Sequence, residues 1–243
     1  MPATPATSGL AFRSEILSKA GYLHGFSSAE GGADYALGLP ETDLRLALEA
    51  LGREVGFDPS RLYQVKQVHG VEVHLAEGDP RELVGRPGDA VVARTPGHVA
   101  GVRVADCVPV LVGAGRHVAA IHAGWRGVDA GIVGIALAEL SGADRVAAIG
   151  PCIGACCFEV SVEVADRLVA SVGHSDVVVS RYGEGKAKVD LRRAVRHQLR
   201  AAGALDSRID DVGGCTRCGG AAYHSYRRDG DRSGRMLAVI VAT

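Results

Sequence analysis

The sequence predicts one α+β domain. Four short runs rich in valine and alanine crowd the centre of the chain, and apolar residues recur at helical spacing in the segments around them. No repeat or shift in composition divides the 243 residues. A chain of this length buries about 70–75% of its unfolded surface, so its core needs no disulfide or metal to hold together.

Residues 1–9 read as a disordered tail and 10–243 as the single domain. Residues 11–26 are apolar enough for a helix or a strand entering the core. Residues 27–40, with Gly31, Gly32 and Gly38, read as a loop. Thr42 or Asp43 is placed to cap a helix across Leu44, Leu46, Leu48 and Leu51, ending near Gly52 or Gly56. Residues 62–74 alternate apolar and polar side chains, as a strand does, with a turn at Gly70. The central runs, 89–94, 98–104, 108–112 and 117–121, are too short and too β-branched for helices and read as strands. From Gly124 the period changes, and Trp125, Val128, Ile132, Ile135, Leu137 and Leu140 fit one amphipathic helix reaching Gly142. A buried strand is expected at 145–149 and a helix at 161–172. The charged residues of 181–188 read as a solvated loop. Asp190 is placed to cap a helix through Leu191, Val195 and Leu199 that stops at Gly203, and 236–242 is the last strand.

Composition removes several function classes. A net charge of −1 and mixed signs along the chain leave no basic stripe for nucleic acid. No uncharged run approaches the roughly 20 apolar residues of a membrane helix; the longest, 146–158, is broken by Gly150, Pro151 and Gly154. The first residues lack a basic region followed by an apolar one, so no secretory signal is expected. A cytoplasmic location follows as the expectation, with the six cysteines as reduced thiols, metal ligands or a nucleophile. The 33 glycines are about twice the usual share and mark tight turns and close backbone approaches.

Four glycine-flanked clusters carry the chemistry: Gln67-Val-His69-Gly70, Ala105-Asp106-Cys107, His122-Ala-Gly-Trp125-Arg126-Gly127, and Cys215-Thr-Arg-Cys218 leading into Ser225-Tyr-Arg227-Arg228-Asp229. Several sit at strand ends, where side chains from different strands converge. His69, Cys107 and His122 form a candidate zinc set, since imidazole and thiolate suit Zn²⁺ and three ligands leave a tetrahedral position open for catalysis. The same residues also read as a buried cysteine with two core-edge histidines. Arg126, in a first helical turn, and Arg227 and Arg228 can clamp a phosphate or carboxylate, or pair at the surface. Cys215 and Cys218 are half of a possible zinc ribbon, with Cys152, Cys156 and Cys157 as poorly spaced partners; reduced structural thiols are the alternative.

Taken in order, Gln67-Val-His-Gly, Ala105-Asp-Cys-Val-Pro-Val, His122-Ala-Gly-Trp-Arg-Gly, Ile149-Gly-Pro-Cys-Ile-Gly, Phe158-Glu-Val, Asp190-Leu, Cys215-Thr and Ser225-Tyr-Arg-Arg-Asp-Gly resemble the YfiH-like family. That family is also called the laccase-domain or multi-copper polyphenol oxidoreductase family and, in bacteria, peptidoglycan editing factor. The resemblance spans about residues 22–243. It implies an α/β/β/α layered fold with mixed sheets, similar to cytotoxic necrotizing factor catalytic domains, and a zinc held by His69, Cys107 and His122. It also implies purine nucleoside phosphorylase activity with adenosine deaminase and methylthioadenosine phosphorylase side activities. Purine nucleoside and phosphate would then be the partners, without nucleic acid or membrane. Within the matched motifs Asp106 joins the three ligands as a catalytic candidate. Gln67, Arg126, Ser225, Arg227 and Arg228 are candidates for binding substrate or phosphate. One departure stands out: where the family often has Phe-Ser-Thr-Arg before Gly-Gly, this chain has Phe26-Ser27-Ser28-Ala29 before Gly31-Gly32, so another arginine must hold phosphate or phosphorolysis is weakened. His224 likewise stands where an aromatic residue is common.

Two other chemistries compete. A cysteine hydrolase would use Cys107 as nucleophile and His122 or His69 as base, for example to edit peptidoglycan precursors. A copper polyphenol oxidase of the multicopper type needs about ten histidines, mostly in His-x-His pairs; this chain has nine and no such pair, which disfavours copper.

Overall fold

The valine- and alanine-rich runs do form strands, and they stack as two sheets. The computed structural model describes residues 10–142, 144–183 and 185–243; the expected tail, 1–9, lies outside the described residues. The first sheet has six strands in the order Ile209–Asp211, Val146–Ile149, Val108–Ala114, His117–Ala123, Ala90–Ala93, Val73–Leu75. Its centre is a tight antiparallel hairpin that runs from Val108 opposite Ala123 to Ala114 opposite His117. Both outermost strands join in parallel. The second sheet has five strands in the order Ala11–Phe12, His24–Ser27, Met236–Val241, Val99–Val104, Leu62–Tyr63. Met236–Val241 lies in its middle, with Ala238 opposite Phe26 on one side and Val102 on the other.

Side chains alternate between the faces of a strand, and that alternation builds the layers. Val108, Val110, Val112 and Ile121 face away from the second sheet, under the helices Trp125–Asp129, Ile132–Ala138, Val162–Val172 and Leu191–Ala201. Leu111, Ala120, Val91 and Ala148 face the second sheet and meet Val102, Ala238 and Ile240 there. Leu237 and Val239 point the other way, beneath Leu51 and Val55 of the helix Glu41–Val55. The result is a helix/sheet/sheet/helix stack with mixed sheets, in agreement with the α+β expectation. Each fully buried aliphatic side chain contributes about 1.5–3 kcal/mol, which is why the three apolar layers hold it. Among the described residues no helix is long and apolar enough to cross a membrane.

Several local expectations are corrected. Residues 11–26 hold a strand, the short helix Glu15–Lys19 and a second strand, not one element. Pro40, not Thr42 or Asp43, occupies the N-cap of Glu41–Val55; no side chain caps it, while Glu41 and Asp43 in the first turn complement the helix dipole. The run 62–74 is not one strand. Leu62–Tyr63 joins the second sheet and Val73–Leu75 the first, and the loop between them turns at His69, whose φ of 62° is left-handed. The helix expected from Gly124 to Gly142 is two helices, because Gly131 takes a φ of 82° between them. Most of the segment expected as a loop at 181–188 lies in strands: Val178–Tyr182 and Lys186–Val189 form an antiparallel pair, joined by Glu159–Ser161 in a three-stranded sheet. Ala187 and Val189 are buried beneath it, and Lys186 pairs with Glu159 at 3.1 Å.

Candidate metal centre and cavity

Asp89, fully buried one residue before the strand Ala90–Ala93, organises the site. Its Oδ1 accepts hydrogen bonds from the backbone N–H of His69 at 2.9 Å and from Nδ1 of His122 at 2.8 Å, and its Oδ2 accepts from the N–H of Gly70 at 2.7 Å. One carboxylate thus holds the left-handed turn at His69 and the ring of His122 together. Burial works against its charge, yet the bonds from His122 and Gly70 keep its carboxyl below the usual range. With Nδ1 committed to Asp89, His122 offers Nε2 to the cluster, the tautomer a metal ligand needs.

The third member, Cys107, precedes the strand Val108–Ala114, whose register sets Val108 opposite Ala123, beside His122. The candidate ligand atoms of His69, Cys107 and His122 all lie within 4.8 Å of one another, with Cys107 Sγ 3.7 Å from His69 Nε2. The two imidazoles meet edge to face with centroids 4.9 Å apart. Gly124 makes room for them: a Cβ there would fall 2.9 Å from His69 Cδ2 and 3.2 Å from Cys107 Sγ. Burial pushes the Cys107 thiol up, but His122 and His69 together outweigh it and bring the thiol down to about 6. Burial likewise disfavours the His122 cation, yet Cys107 and then Asp89 raise it to about 9. Each of the two groups thus favours the charged form of the other. Two imidazoles and a thiolate form a borderline-soft donor set that fits zinc or monovalent copper, and three donors leave one side open. That side opens into a cavity of about 830 Å³.

Four arginines line this cavity: Arg103, Arg126, Arg227 and Arg235. Arg126 stacks on Trp125, its guanidinium carbon 4.6 Å from the ring centroid. Arg227 lies over Phe158 and donates to the carbonyl of Glu159 at 3.1 Å. Gln67 lines the cavity, though its amide is tied both ways to the backbone of Arg103, at 2.8 and 2.6 Å.

Three expected site residues are tied into the local structure. Asp106 also borders the cavity, but both its oxygens are occupied, by Thr216 Oγ1 at 2.5 Å and by the N–H of Arg227 at 2.6 Å. Asp106 thereby fixes the backbone of Arg227 at the cavity edge. Ser225 is fully buried and caps the short helix Tyr226–Asp229. The guanidinium of Arg228 is spent on Asp229 and on the carbonyls of Thr216, Gly220 and Tyr223, so it braces a loop and does not face the cavity. Ala29 lies off the cavity wall, its N–H bonded to the carbonyl of Ala222, and His224 bonds the carbonyl of Ala33.

Asp89, Arg103 and Arg235 are the residues that sequence reasoning missed. Arg103 had left a trace, as a charge inside the apolar run 98–104. It is 7% exposed, bonds Gln64 and the carbonyl of Val65, and is lowered to about 10 by burial and then by the charge of Arg235.

Residues 37–243 match the family described as multi-copper polyphenol oxidoreductase laccase. A protein named adenosine deaminase RL5, from an unknown prokaryotic organism, is 37% identical over 222 residues, covering 85% of this chain and 83% of its own. Purine nucleoside phosphorylase YfiH of Escherichia coli is 34% identical over 189 residues, 75% of this chain and 74% of its own. The crystal structure of YlmD from Geobacillus stearothermophilus superposes with a TM-score of 0.85 at 28% identity, covering 98% of both chains. The protein named purine nucleoside phosphorylase YlmD from that organism is 31% identical over 91% of this chain and 90% of its own. Fold, family match and relatives agree: the chain belongs to the laccase-like, or YfiH, family of multi-copper polyphenol oxidoreductase laccases.

Proposed function

We propose that the chain is a zinc-dependent purine nucleoside phosphorylase. It would convert adenosine, inosine, guanosine or methylthioadenosine and phosphate to the free base and the sugar 1-phosphate, with adenosine deaminase activity at the same centre. One observation carries this reading: four arginine side chains share a cavity with His69, Cys107 and His122. Such a cavity attracts an anion beside a candidate metal, as a phosphate co-substrate requires. The names of the relatives, purine nucleoside phosphorylase and adenosine deaminase, point the same way.

His69, Cys107 and His122 would hold the zinc, which when bound supplies a Lewis acid. Asp89 holds the Nδ1 side of His122, so that Nε2 is the nitrogen turned to the metal, which takes the place of its proton. Arg126, with no carboxylate partner among the described residues, binds and orients phosphate. Arg227 assists, its backbone fixed by Asp106. Leu37 and Ile153 give the base an apolar wall. We place the reaction in the cytoplasm, where six free thiols stay reduced.

A second reading has its own observation. Cys107, His122 and Asp89 line up as nucleophile, base and orienting carboxylate, the arrangement of a cysteine hydrolase that could edit the amide bonds of peptidoglycan precursors. The polyphenol oxidase reading is weaker: no metal-competent group among the described residues gathers three histidines.

The deciding assay follows release of free base from inosine and adenosine, with the protein as purified, stripped by chelator and restored with zinc. Release that needs phosphate and returns with zinc supports the phosphorylase. Absence of release in zinc-loaded protein refutes it, and an amidase activity that survives chelator establishes the hydrolase.

A further inference from the structure

Four cysteines lie outside the cavity centre and are brought together by segments far apart in sequence. Cys156 and Cys157 sit in the turn after the strand Val146–Ile149, and Cys215 and Cys218 sit on the segment after Ile209–Asp211. The neighbouring strands Val146–Ile149 and Ile209–Asp211 run parallel, and the alignment continues past their ends as a bridge between Cys152 and Cys215, with the N–H of Thr216 donating to the carbonyl of Cys152 at 3.0 Å. The Sγ atoms of Cys156, Cys157, Cys215 and Cys218 lie within 4.8 Å of one another, and none is in a disulfide.

We propose that Cys156, Cys157, Cys215 and Cys218 form a tetrathiolate site for a structural zinc, separate from the His69, Cys107 and His122 centre. The distances have the right scale. Zinc–sulfur bonds of roughly 2.3 Å at tetrahedral angles set neighbouring sulfurs about 3.8 Å apart; Cys156 and Cys218 are 3.7 Å apart, whereas a disulfide holds its sulfurs at about 2.05 Å. Cys215 has the surroundings of a thiolate. The N–H of Gly154 donates to Cys215 Sγ at 3.2 Å, the outer bond that metal-bound thiolates commonly accept. A Cβ at Gly154 would fall 3.1 Å from Cys215 Cβ and 3.3 Å from Cys156 Sγ, so the close approach depends on glycine. Lys188 and Arg217 flank the cluster, and Lys188 Nζ donates to the carbonyl of Cys156 at 2.9 Å, offsetting the net −2 of four thiolates around Zn²⁺. Binding releases a proton from each thiol that is not already ionised. Four protein ligands close the site, so its role is to hold structure.

What it holds is the cavity wall. The cysteine turn carries Ile153 and Phe158 on its two sides, and Cys215 precedes Thr216, which fixes Asp106 and through it Arg227. Zinc here ties both segments together behind the arginines, whatever reaction the cavity performs.

The test counts metal in Cys107→Ser, which lacks a ligand of the first centre, and in the same chain with Cys156→Ser and Cys218→Ser added. Elemental analysis is expected to find one zinc per chain in the first and almost none in the second. Cobalt exchanged into Cys107→Ser should give the intense thiolate charge-transfer band of a four-sulfur site, absent from the triple variant. If the triple variant fails to fold, chelator is added to folded Cys107→Ser, where loss of one zinc should expose four additional thiols to alkylation. Metal-free Cys107→Ser without the cobalt band, a Cys156–Cys218 disulfide in the protein as isolated, or iron–sulfur absorbance in place of zinc each overturns the proposal.

Discussion

Replacing Asp89 by asparagine tests whether one carboxylate governs the candidate metal centre. The side chain keeps its size but loses its charge and half its accepting capacity. Oδ1 serves His69 N–H and His122 Nδ1, while Oδ2 serves Gly70 N–H at 2.7 Å and Val68 N–H at 3.4 Å. If the new NH₂ takes the Oδ1 place, it opposes the N–H of His69 and forces His122 to accept at Nδ1, which moves the ring proton to Nε2 and removes a ligand. If it takes the Oδ2 place, it opposes the N–H of Gly70, and a buried unsatisfied donor costs about 1–3 kcal/mol. Loss of such an outer partner lowers metal affinity about 10–100-fold, or roughly 1.4–2.7 kcal/mol. Competition against a chromophoric chelator measures the affinity, and thermal unfolding of the metal-free protein measures the folding cost. A folded Asp89→Asn protein that binds zinc as tightly as the parent refutes the reasoning.

Three further outcomes follow. Gly124→Ala puts a methyl between His69 and Cys107, so zinc affinity falls by about tenfold or more while circular dichroism stays native; equal affinity would show that the ligands move aside freely. Arg126→Ala removes a charged contact of about 1.5–3 kcal/mol and raises the KM for phosphate roughly 10–100-fold without changing zinc content; an unchanged phosphate KM assigns that task to another arginine. His24 is fully buried and accepts from the N–H of Ser14, and burial with the nearby Arg13 holds its pKa below the ordinary value of about 6.5. The unfolded chain therefore takes up the proton first, so this stability is complete above pH of about 6.5 and drains away as pH falls below it. The Tm of His24→Gln should depend less steeply on pH in that range, and equal slopes would contradict the assignment.

Much of this architecture was legible because its core is written in short β-branched runs. Residues 98–104 and 117–121 had no other stable fate, and Asp190 announced its helix by type and position. Where one backbone angle decided, legibility failed. Gly131 at a φ of 82° splits a helix whose apolar period runs through unbroken, and His69 in the left-handed region ends an alternation that reads as a strand. The three-stranded sheet was hidden by its charged outer face, with Ala187 and Val189, and the half-buried Val160 and Val178, marking the inner one. In the site, residue type pointed to His69, Cys107 and His122 as a set. It did not show where hydrogen bonds would be spent, so the ties of Asp106, Ser225 and Arg228 were not legible and Asp89 passed unnoticed.

The central place of Met236–Val241 in its sheet has a consequence for synthesis on the ribosome. Both neighbours, His24–Ser27 and Val99–Val104, emerge far earlier; at about 5–20 residues per second, on the order of ten seconds separates Val104 from Met236. Until then the nascent chain presents two unpaired strand edges where the last strand belongs, templates for mispairing with another copy. The hairpin Val108–Ala114 and His117–Ala123 can close within that interval, so Cys107 and His122 are in place while Arg235 is still untranslated. A nonsense codon just before Met236 would leave a product with the complete ligand trio and no finished cavity, marked by its open edges for aggregation or proteolysis.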